Sequence, residues 1–339
     1  MPSMADVRKA RGLVHEIILD QKNIYIKELL RKHDVAGGAN KAQFEERLEA
    51  AITDGTITLD HLKEWIEETE GWGDEHVYLY SVPKSVCAEI AASPKASVTR
   101  AGFDKLWNAS PSVAFPNKRK LTGICFEENE LRFVWHQGMT LEERAPEKDI
   151  EPREEYDGET YSYKAYRHFG KRTVTRVVVR PHEALAAVFL PGSLDPTTHT
   201  VERASIAAEI GKAFRLNDCK LHSIEDAIPQ IEKAVMAAKI PLQTRHTRLS
   251  DRGGAGYVEI VSTNKASYTQ STSLLAVRAA VPDSAFTGTG ANFYFKLQTG
   301  EKTRDIRVNL YADYQRIRLF INLSREEVWK ILGVIASFL

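Results

Sequence analysis

The first eighty residues show the apolar spacing of amphipathic helices. In "ADVRKARGLVHEIILD" apolar residues recur every three or four positions, and the spacing continues through "NIYIKELLRKHDV", "KAQFEERLEAAITDG" and "TLDHLKEWIEET". Gly55 closes the third of these segments, and Thr58 is a suitable N-cap for the fourth. A last helical stretch, "SVTRAGFDKLWNAS", ends before Pro111. We predict an all-helical N-terminal domain over residues 1–80 and a helical connector over residues 81–117.

From residue 118 onwards the pattern changes to period two. "LTGICFEENELRFVWH" predicts a hairpin that turns at residues 128–129, and "TYSYKAYRHFGKRTVTRVVVR" predicts a second that turns at residues 168–170. We predict an acidic, solvated loop between them. Two helices follow, "VERASIAAEIGKAFRLN" and "SIEDAIPQIEKAVMAAKI", and Pro229 either lies in the first turn of the second helix or kinks it.

The remainder of the chain predicts further strands and one closing helix. Strands are expected near "YVEIVS", "LLAVRAA", "NFYFKLQT", "DIRVNLYA" and "QRIRLFINL", and Ser324 caps the helix "SREEVWKILGVIASF". The predicted fold class is α+β, in which the all-helical N-terminal domain is followed by a mixed α+β domain with antiparallel sheets over residues 118–339.

Charge is balanced in total but segregated along the chain. The 339 residues contain 46 Lys and Arg against 46 Asp and Glu. Residues 141–160 carry nine acids and three bases, whereas residues 164–180 carry six bases and no acid. Such segregation creates local fields that the net charge conceals, so a neutral total does not exclude a basic, nucleic-acid-binding face.

The cysteines and the apolar runs indicate an intracellular protein without a membrane partner. Three widely spaced cysteines fit neither a disulfide framework nor a paired-cysteine zinc site. No apolar run reaches the roughly 18 residues of a membrane helix, and the N-terminus lacks the apolar region of a signal peptide.

Motifs for enzymatic chemistry are weak. "DRGGAG" and "TGTGAN" lack the strand–glycine–helix context of a nucleotide site and are expected to be turns. Cys219 and His222, with Asp226 nearby, allow a nucleophile hypothesis, but a partly buried cysteine beside a surface histidine is the favoured interpretation. Glu259 and Lys265 are too far apart for a nuclease motif. We expect no enzymatic activity, no cofactor and no metal.

The stretch "VAGGANKAQFEERL" places Lys41 at the start of a helix, where the helix dipole already favours an anion. Two interpretations remain open: the lysine points into solvent, or it meets an external phosphate at the helix N-terminus. Asn40 is expected to accept a bond from the N–H of Gln43 as an N-cap. Gly37 and Gly38 are expected to permit left-handed backbone and the close approach of a partner.

Two family resemblances bear on this region. Residues 24–48 resemble the SAP-like helix–extension–helix module, in which the N-terminus of the second helix and its lysine meet DNA phosphates. Over most of the chain, the order of elements resembles the centromere protein N family of kinetochore proteins, including "ENELRFVWHQG", "VTRVVVRPHEALAAVF" and "LFINLSREEVWKILGVI". That resemblance implies a basic groove for DNA between a helical and an α+β domain, and a death-fold-like rather than SAP-like N-terminus.

One departure from the second family concerns its loop after the first hairpin. The family's loop carries lysines, whereas residues 141–159 here are acidic. This puts in doubt a shared DNA contact at the loop and the recognition of a histone surface.

The strand "RTVTRVVVR" and the junction "PNKRK" supply the other basic candidates. Arg172, Arg176 and Arg180 share one strand face and could follow a phosphate backbone, or they could neutralise the acidic segment. The candidate DNA-binding residues are Lys9, Arg11, Gly38, Asn40, Lys41, Lys118, Arg119, Lys120, Lys171, Arg172, Arg176 and Arg180.

These observations predict a non-enzymatic, largely sequence-independent double-stranded DNA-binding protein, associated with a nucleoid or nucleus. The alternative is a protein-interaction scaffold whose surface pairs with a structurally related subunit of a larger complex.

Overall fold

The computed structural model describes residues 3–109, 112–113, 115–156, 158–240, 242–262, 266–282, 284–299, 302–321 and 323–339. Its helices are α1 (Met4–Leu13), α2 (Asn23–Lys32), α3 (Lys41–Asp54), α4 (Leu59–Gly71), α5 (Lys84–Ala92), α6 (Pro94–Arg100), α7 (His199–Ile210), α8 (Ala227–Met236), α9 (Thr272–Ala279) and α10 (Arg325–Ala336). A five-residue π-helix, Val14–Ile18, continues α1.

Its strands are β1 (Glu75–Ser81), β2 (Lys120–Glu127), β3 (Glu130–Arg144), β4 (Ile150–Tyr156), β5 (Glu159–Tyr163), β6 (Tyr166–Arg180), β7 (Leu185–Pro191), β8 (Lys220–Leu221), β9 (Leu242–Asp251), β10 (Tyr257–Val261), β11 (Phe286–Thr299), β12 (Lys302–Tyr311) and β13 (Arg316–Leu319).

Within the described residues, eleven of these strands form one sheet. The strand order is β10-β9-β11-β12-β13-β1-β7-β6-β3-β2, with β8 pairing to β1, and β4 and β5 form a separate two-stranded sheet. Strand β1 runs antiparallel to β13 on one side and to β7 on the other. The α+β class with antiparallel pairing is therefore confirmed.

The helices that precede β1 lie within residues 4–71, so the N-terminal region is not all-helical up to residue 80 as predicted. The predicted all-helical domain ends in β1, which lies in the middle of the sheet. The segment "HVYLYS" does not alternate between buried and exposed residues, because Tyr78 and Tyr80 are buried like the apolar residues beside them. Both faces of β1 are covered, which is typical of a central strand.

The chain divides into two compact units. Unit 1 comprises Met1–Glu64, Ser112–Thr122 and Trp135–Val174, and unit 2 comprises Trp65–Pro111, Gly123–Val134 and Thr175–Leu339. In unit 1, apolar residues at helical spacing are buried, among them Ile26, Phe44 and Leu48.

The core of unit 2 lies on one face of the sheet. There Val77, Phe189 and Leu310 from the strands pack with Ile228 of α8 and Trp329 of α10.

The first predicted hairpin and two predicted helix features are confirmed. Strands β2 and β3 are neighbours joined at Glu128 and Asn129, whose φ angles of 51° and 62° match a type I′ turn. Pro229 lies in the first turn of α8, where its missing N–H costs no helical bond. Ser324 caps α10 in a complete capping box.

Three predicted elements are wrong. Strand β6 runs through residues 168–170 without turning, and the acidic segment forms the end of β3 and the β4–β5 hairpin rather than a loop. Its tyrosines and threonines favour strand structure despite the charge. The segment "LLAVRAA" lies largely in α9, where Ser271 accepts a bond from the N–H of Leu274 as N-cap. A short apolar run does not by itself distinguish a helix from a strand.

Candidate nucleic-acid interface

The turn before α3 is held by side-chain caps, largely as the sequence predicts. The Asn40 side chain accepts a bond from the Gln43 N–H at 3.0 Å. The Gln43 side chain reaches back to the N–H of Ala39 at 2.8 Å, one residue before the position expected for a capping box. Two otherwise unsatisfied N–H groups are thereby paired, which fixes the entry into α3.

Lys41 adopts neither of the two geometries expected from the sequence. Its ammonium donates a hydrogen bond to the main-chain carbonyl of Gln21, in the turn that precedes α2. The side chain is half-buried, and burial lowers the pKa of Lys41 although Asp20 acts in the opposite direction. In this conformation Lys41 links α3 to the turn before α2. Contact with a phosphate would require this hydrogen bond to break.

The two glycines of the turn serve packing rather than unusual backbone angles. Neither Gly37 nor Gly38 has a positive φ, contrary to expectation, whereas Asp34 does, at 56°. A Cβ on Gly38 would lie 2.8 Å from the Phe44 ring, so the glycine lets the backbone pass close to that buried side chain. Gly38 therefore accommodates the protein's own core.

Lys9 and Arg11 lie on α1 and are exposed. The Arg11 Nη2 donates to the Thr53 hydroxyl at 3.0 Å, which links α1 to the end of α3. Lys9 thus remains a surface candidate, while Arg11 also has a structural contact.

Arg172 and Arg176 on β6 are buried, contrary to the expectation of an exposed row. They are 5% and 3% exposed. Arg176 donates to the Glu75 carboxylate at 2.8 Å, and its guanidinium carbon lies 3.9 Å from the centroid of the Trp72 ring. A Cβ on Gly71 would meet Arg176, so only glycine leaves room for it there. Arg176 is unavailable to DNA in this conformation.

Of the arginines predicted to bind DNA, Arg172 and Arg180 also make contacts within the protein. Arg172 donates to the main-chain carbonyl of Ser112, and its guanidinium lies 6.0 Å from the Phe115 ring centroid. Arg180 is partly exposed, contacts Glu130 at 3.3 Å and Glu183 at 2.7 Å, and lies over Trp329. None of these carboxylates belongs to residues 141–160, so the described contacts give no support to neutralisation of the acidic segment.

Burial dominates the electrostatics around Arg176. It raises the pKa of Glu75 from 4.5 to about 7 and lowers the pKa of Arg176, while the attraction between the two groups opposes both shifts. Glu75 also accepts a bond from the Gly73 N–H at 3.3 Å. The pair is a structural element of the sheet.

The segment that contains "PNKRK" lies against the strands of unit 1. The Gly138 N–H of β3 donates to the Pro116 carbonyl at 2.8 Å. Arg119 is half-buried, with its guanidinium 5.8 Å from the Trp135 ring centroid. Together with the bond from Arg172 to Ser112, these contacts fix the junction segment beside β3 and β6.

Three of the predicted lysines near this junction segment are exposed: Lys118, Lys120 and Lys171. Lys118 and Lys120 follow the anchored segment, and Lys171 directly precedes the buried Arg172. Lys120 begins β2 and Lys171 lies on β6. These two strands flank β3, so the strands are two spacings apart, about 10 Å. We call these three residues the lysine patch. The sequence alone did not distinguish these exposed lysines from the buried or half-buried arginines beside them.

Cys219 and His222 do not form a nucleophile pair. The Cys219 thiol donates to the Arg215 carbonyl at 3.7 Å, and burial raises its pKa to about 11. A thiol with that pKa is protonated near neutral pH and is a poor nucleophile. The His222 Nε2 lies 3.0 Å from the Ser81 hydroxyl instead.

Among the described residues, His15, Glu45 and Glu49 form a group that could hold a metal ion. The histidine nitrogens lie 3.5 and 3.4 Å from the two carboxylates, and all three side chains are at least one third exposed. These solvated side chains link the π-helix after α1 to α3 through direct polar contacts.

No protein-family model matches the sequence, and no curated protein matches it closely enough to be reported as a relative. The SAP-like and centromere protein N resemblances therefore rest on the sequence features described above. In the part of the chain that the structure describes, no helix has both the length and the apolar character of a membrane span.

Proposed function

We propose that the protein binds double-stranded DNA without catalysis and with little sequence preference, through the lysine patch of unit 1. The supporting observation is that three exposed lysines lie beside arginines whose side chains make contacts within the protein. Duplex DNA carries one charge about every 1.7 Å of its axis, so lysines presented by strands about 10 Å apart can meet separate phosphates without reading bases.

The anchoring of the junction segment supports the same proposal. Arg119 and Arg172 anchor the junction segment through a ring contact and a main-chain bond. Lys118 and Lys120 are therefore presented by backbone that is already ordered, which reduces the entropy lost on binding. The predicted association with a nucleoid or nucleus follows from this activity.

The test is binding of the full chain to two labelled duplexes of unrelated sequence over a series of salt concentrations. We expect similar affinities for both duplexes and a linear fall of log K with log salt. Binding that is insensitive to salt, or no binding at low salt, would contradict the proposal.

A second candidate function, a scaffold that pairs with a related subunit, is favoured by one edge of the sheet. Strand β10 is the last strand in the order, and its Tyr257 and Val261 are 58% and 49% exposed. An edge strand with exposed apolar residues can accept a strand from another protein. Stoichiometric co-purification of a subunit without nucleic acid, lost in Val261→Glu, would favour this function.

A further inference from the structure

The central strands of unit 2 carry polar residues on the face opposite the core. Val77 and Ile317 are paired across β1 and β13, and both lie in the hydrophobic core. Because successive side chains of a strand point to opposite faces, the residues on either side of them project from the other face. These are His76, Tyr78, Arg316 and Arg318.

Arg316 is a buried charge that forms no ion pair with a carboxylate among the described residues. Only 6% of it is exposed, and its Nε and Nη1 have no hydrogen-bond acceptor among the described residues. Its guanidinium carbon instead lies 4.4 and 5.2 Å from the ring centroids of Tyr311 and Tyr314. By contrast, Arg318, two residues on, donates to Asp74 at 2.6 Å.

Arg203 and Arg316 both act electrostatically on Tyr78, and the other groups beside Tyr78 are neutral. Arg203 of α7 lies 4.2 Å from the Tyr78 ring centroid and donates to the Tyr80 hydroxyl at 2.9 Å. The Tyr78 hydroxyl is 2.7 Å from His199 Nδ1, and the His199 ring is 4.6 Å from that of His76.

Burial and the neighbouring arginines keep both histidines neutral. They lower the pKa of His76 to about 2 and that of His199 to about 4. Asp195 is the carboxylate that acts on His199, and it accepts a bond from the Thr197 N–H at 2.9 Å. Near neutral pH the positive charge of this face therefore comes from its arginines.

A buried guanidinium without a counter-ion destabilises the fold, because its desolvation is not offset. Arginine binds planar or tetrahedral oxyanions through two parallel N–H groups, with stronger bonds than neutral pairs form. We propose that Arg316, with Arg203 and the tyrosines beside it, forms a binding site for a compact oxyanion of the phosphate class, separate from the lysine patch. A dianion suits two arginines better than a carboxylate does.

The experiment measures the thermal midpoint of the full chain in chloride buffer and after addition of inorganic phosphate at constant ionic strength. A ligand that binds only the folded state raises Tm, by roughly 2 °C at ten times Kd for a chain of this size. Adenosine monophosphate and acetate at the same ionic strength form two further arms. A larger response to the nucleotide than to phosphate would identify a phosphate ester as the source, and an equal response would identify the free anion.

The variant Arg316→Met removes the buried charge and keeps much of the side-chain volume. We expect it to match or exceed the wild-type Tm in chloride and to lose the phosphate response. The control Arg304→Met removes the Nη2 that donates to both carboxylate oxygens of Glu327 elsewhere in the unit, and it should keep the response.

A wild-type Tm that phosphate leaves unchanged would overturn the proposal. So would a phosphate response that persists in Arg316→Met, or a response to acetate equal to that to phosphate. Because the readout is stability in the absence of DNA, its outcome is independent of the lysine patch.

Discussion

The buried arginines of β6 and the exposed lysine patch are both basic but differ in what compensates their charge. Arg176 has the Glu75 carboxylate and the Trp72 ring within the protein. Lys118, Lys120 and Lys171 face solvent. The difference follows from the strand pattern: in "RTVTRVVVR" residues on both faces are buried, so this part of β6 is a central strand. A basic stretch therefore identifies a nucleic-acid surface only where the sheet leaves it exposed.

The largest expected effect is on the buried pair. Arg176→Met leaves the Glu75 carboxylate buried without its partner, and such a change costs about 3–5 kcal/mol. The free energy of unfolding in urea would fall by that amount. The double variant Arg176→Met with Glu75→Met replaces the pair by apolar side chains and should recover most of the loss. A loss below about 1 kcal/mol in the single variant would show that the pair is not formed.

The second effect is the pH dependence of the same pair. The folded-state pKa of Glu75 is raised to about 7 from 4.5, so between these values the folded state binds more protons than the unfolded state. The Glu75 contribution to the free energy of unfolding should therefore decrease as pH rises from about 4.5 to 7, by about 3 kcal/mol in total.

Glu75→Gln isolates this contribution. The lowered pKa values of His76 and His199 act in the opposite direction below about pH 6.5. The quantity to measure by urea unfolding at each pH is therefore the difference between wild type and Glu75→Gln. A difference that does not vary with pH would contradict the raised pKa.

The third effect concerns Lys41. Its bond to the Gln21 carbonyl predicts that Lys41→Ala lowers the free energy of unfolding by about 1 kcal/mol. If Lys41 instead faced a ligand or solvent, removal of a cation from a helix N-terminus would leave stability unchanged or slightly raised. Lys27→Ala, on the exposed side of α2, is the matched control and should change stability by less than about 0.5 kcal/mol. Equal stability of the two variants would favour the solvent or phosphate interpretation.

Local signals predicted the caps and the first hairpin turn but not the order of the sheet. The pair Glu128 and Asn129 and the Ser324 cap are short-range features, which sequence alone specifies. The position of β1 between β7 and β13 depends on pairing with residues more than one hundred positions away. For that reason the burial of Arg176, whose partner Glu75 is on β1, could not be predicted from its own strand.

The same limit applies to the candidate site. Spacing placed Arg172, Arg176 and Arg180 on one strand face, but only tertiary packing determines whether that face is covered. The burial of the Arg316 guanidinium has no sequence signal, because "YQRIRLF" differs little from other alternating strands.

The measurement that tests the central claim most directly is the salt dependence of duplex binding by Lys118→Ala/Lys120→Ala/Lys171→Ala. Loss of three phosphate contacts should reduce the slope of log K against log salt by about 2.7, with the free energy of unfolding changed by less than about 0.5 kcal/mol per site. The control Lys84→Ala/Lys95→Ala/Lys105→Ala removes three exposed lysines of unit 2 and should keep the wild-type slope. Equal slopes for the two triple variants would contradict the assignment of DNA binding to the lysine patch.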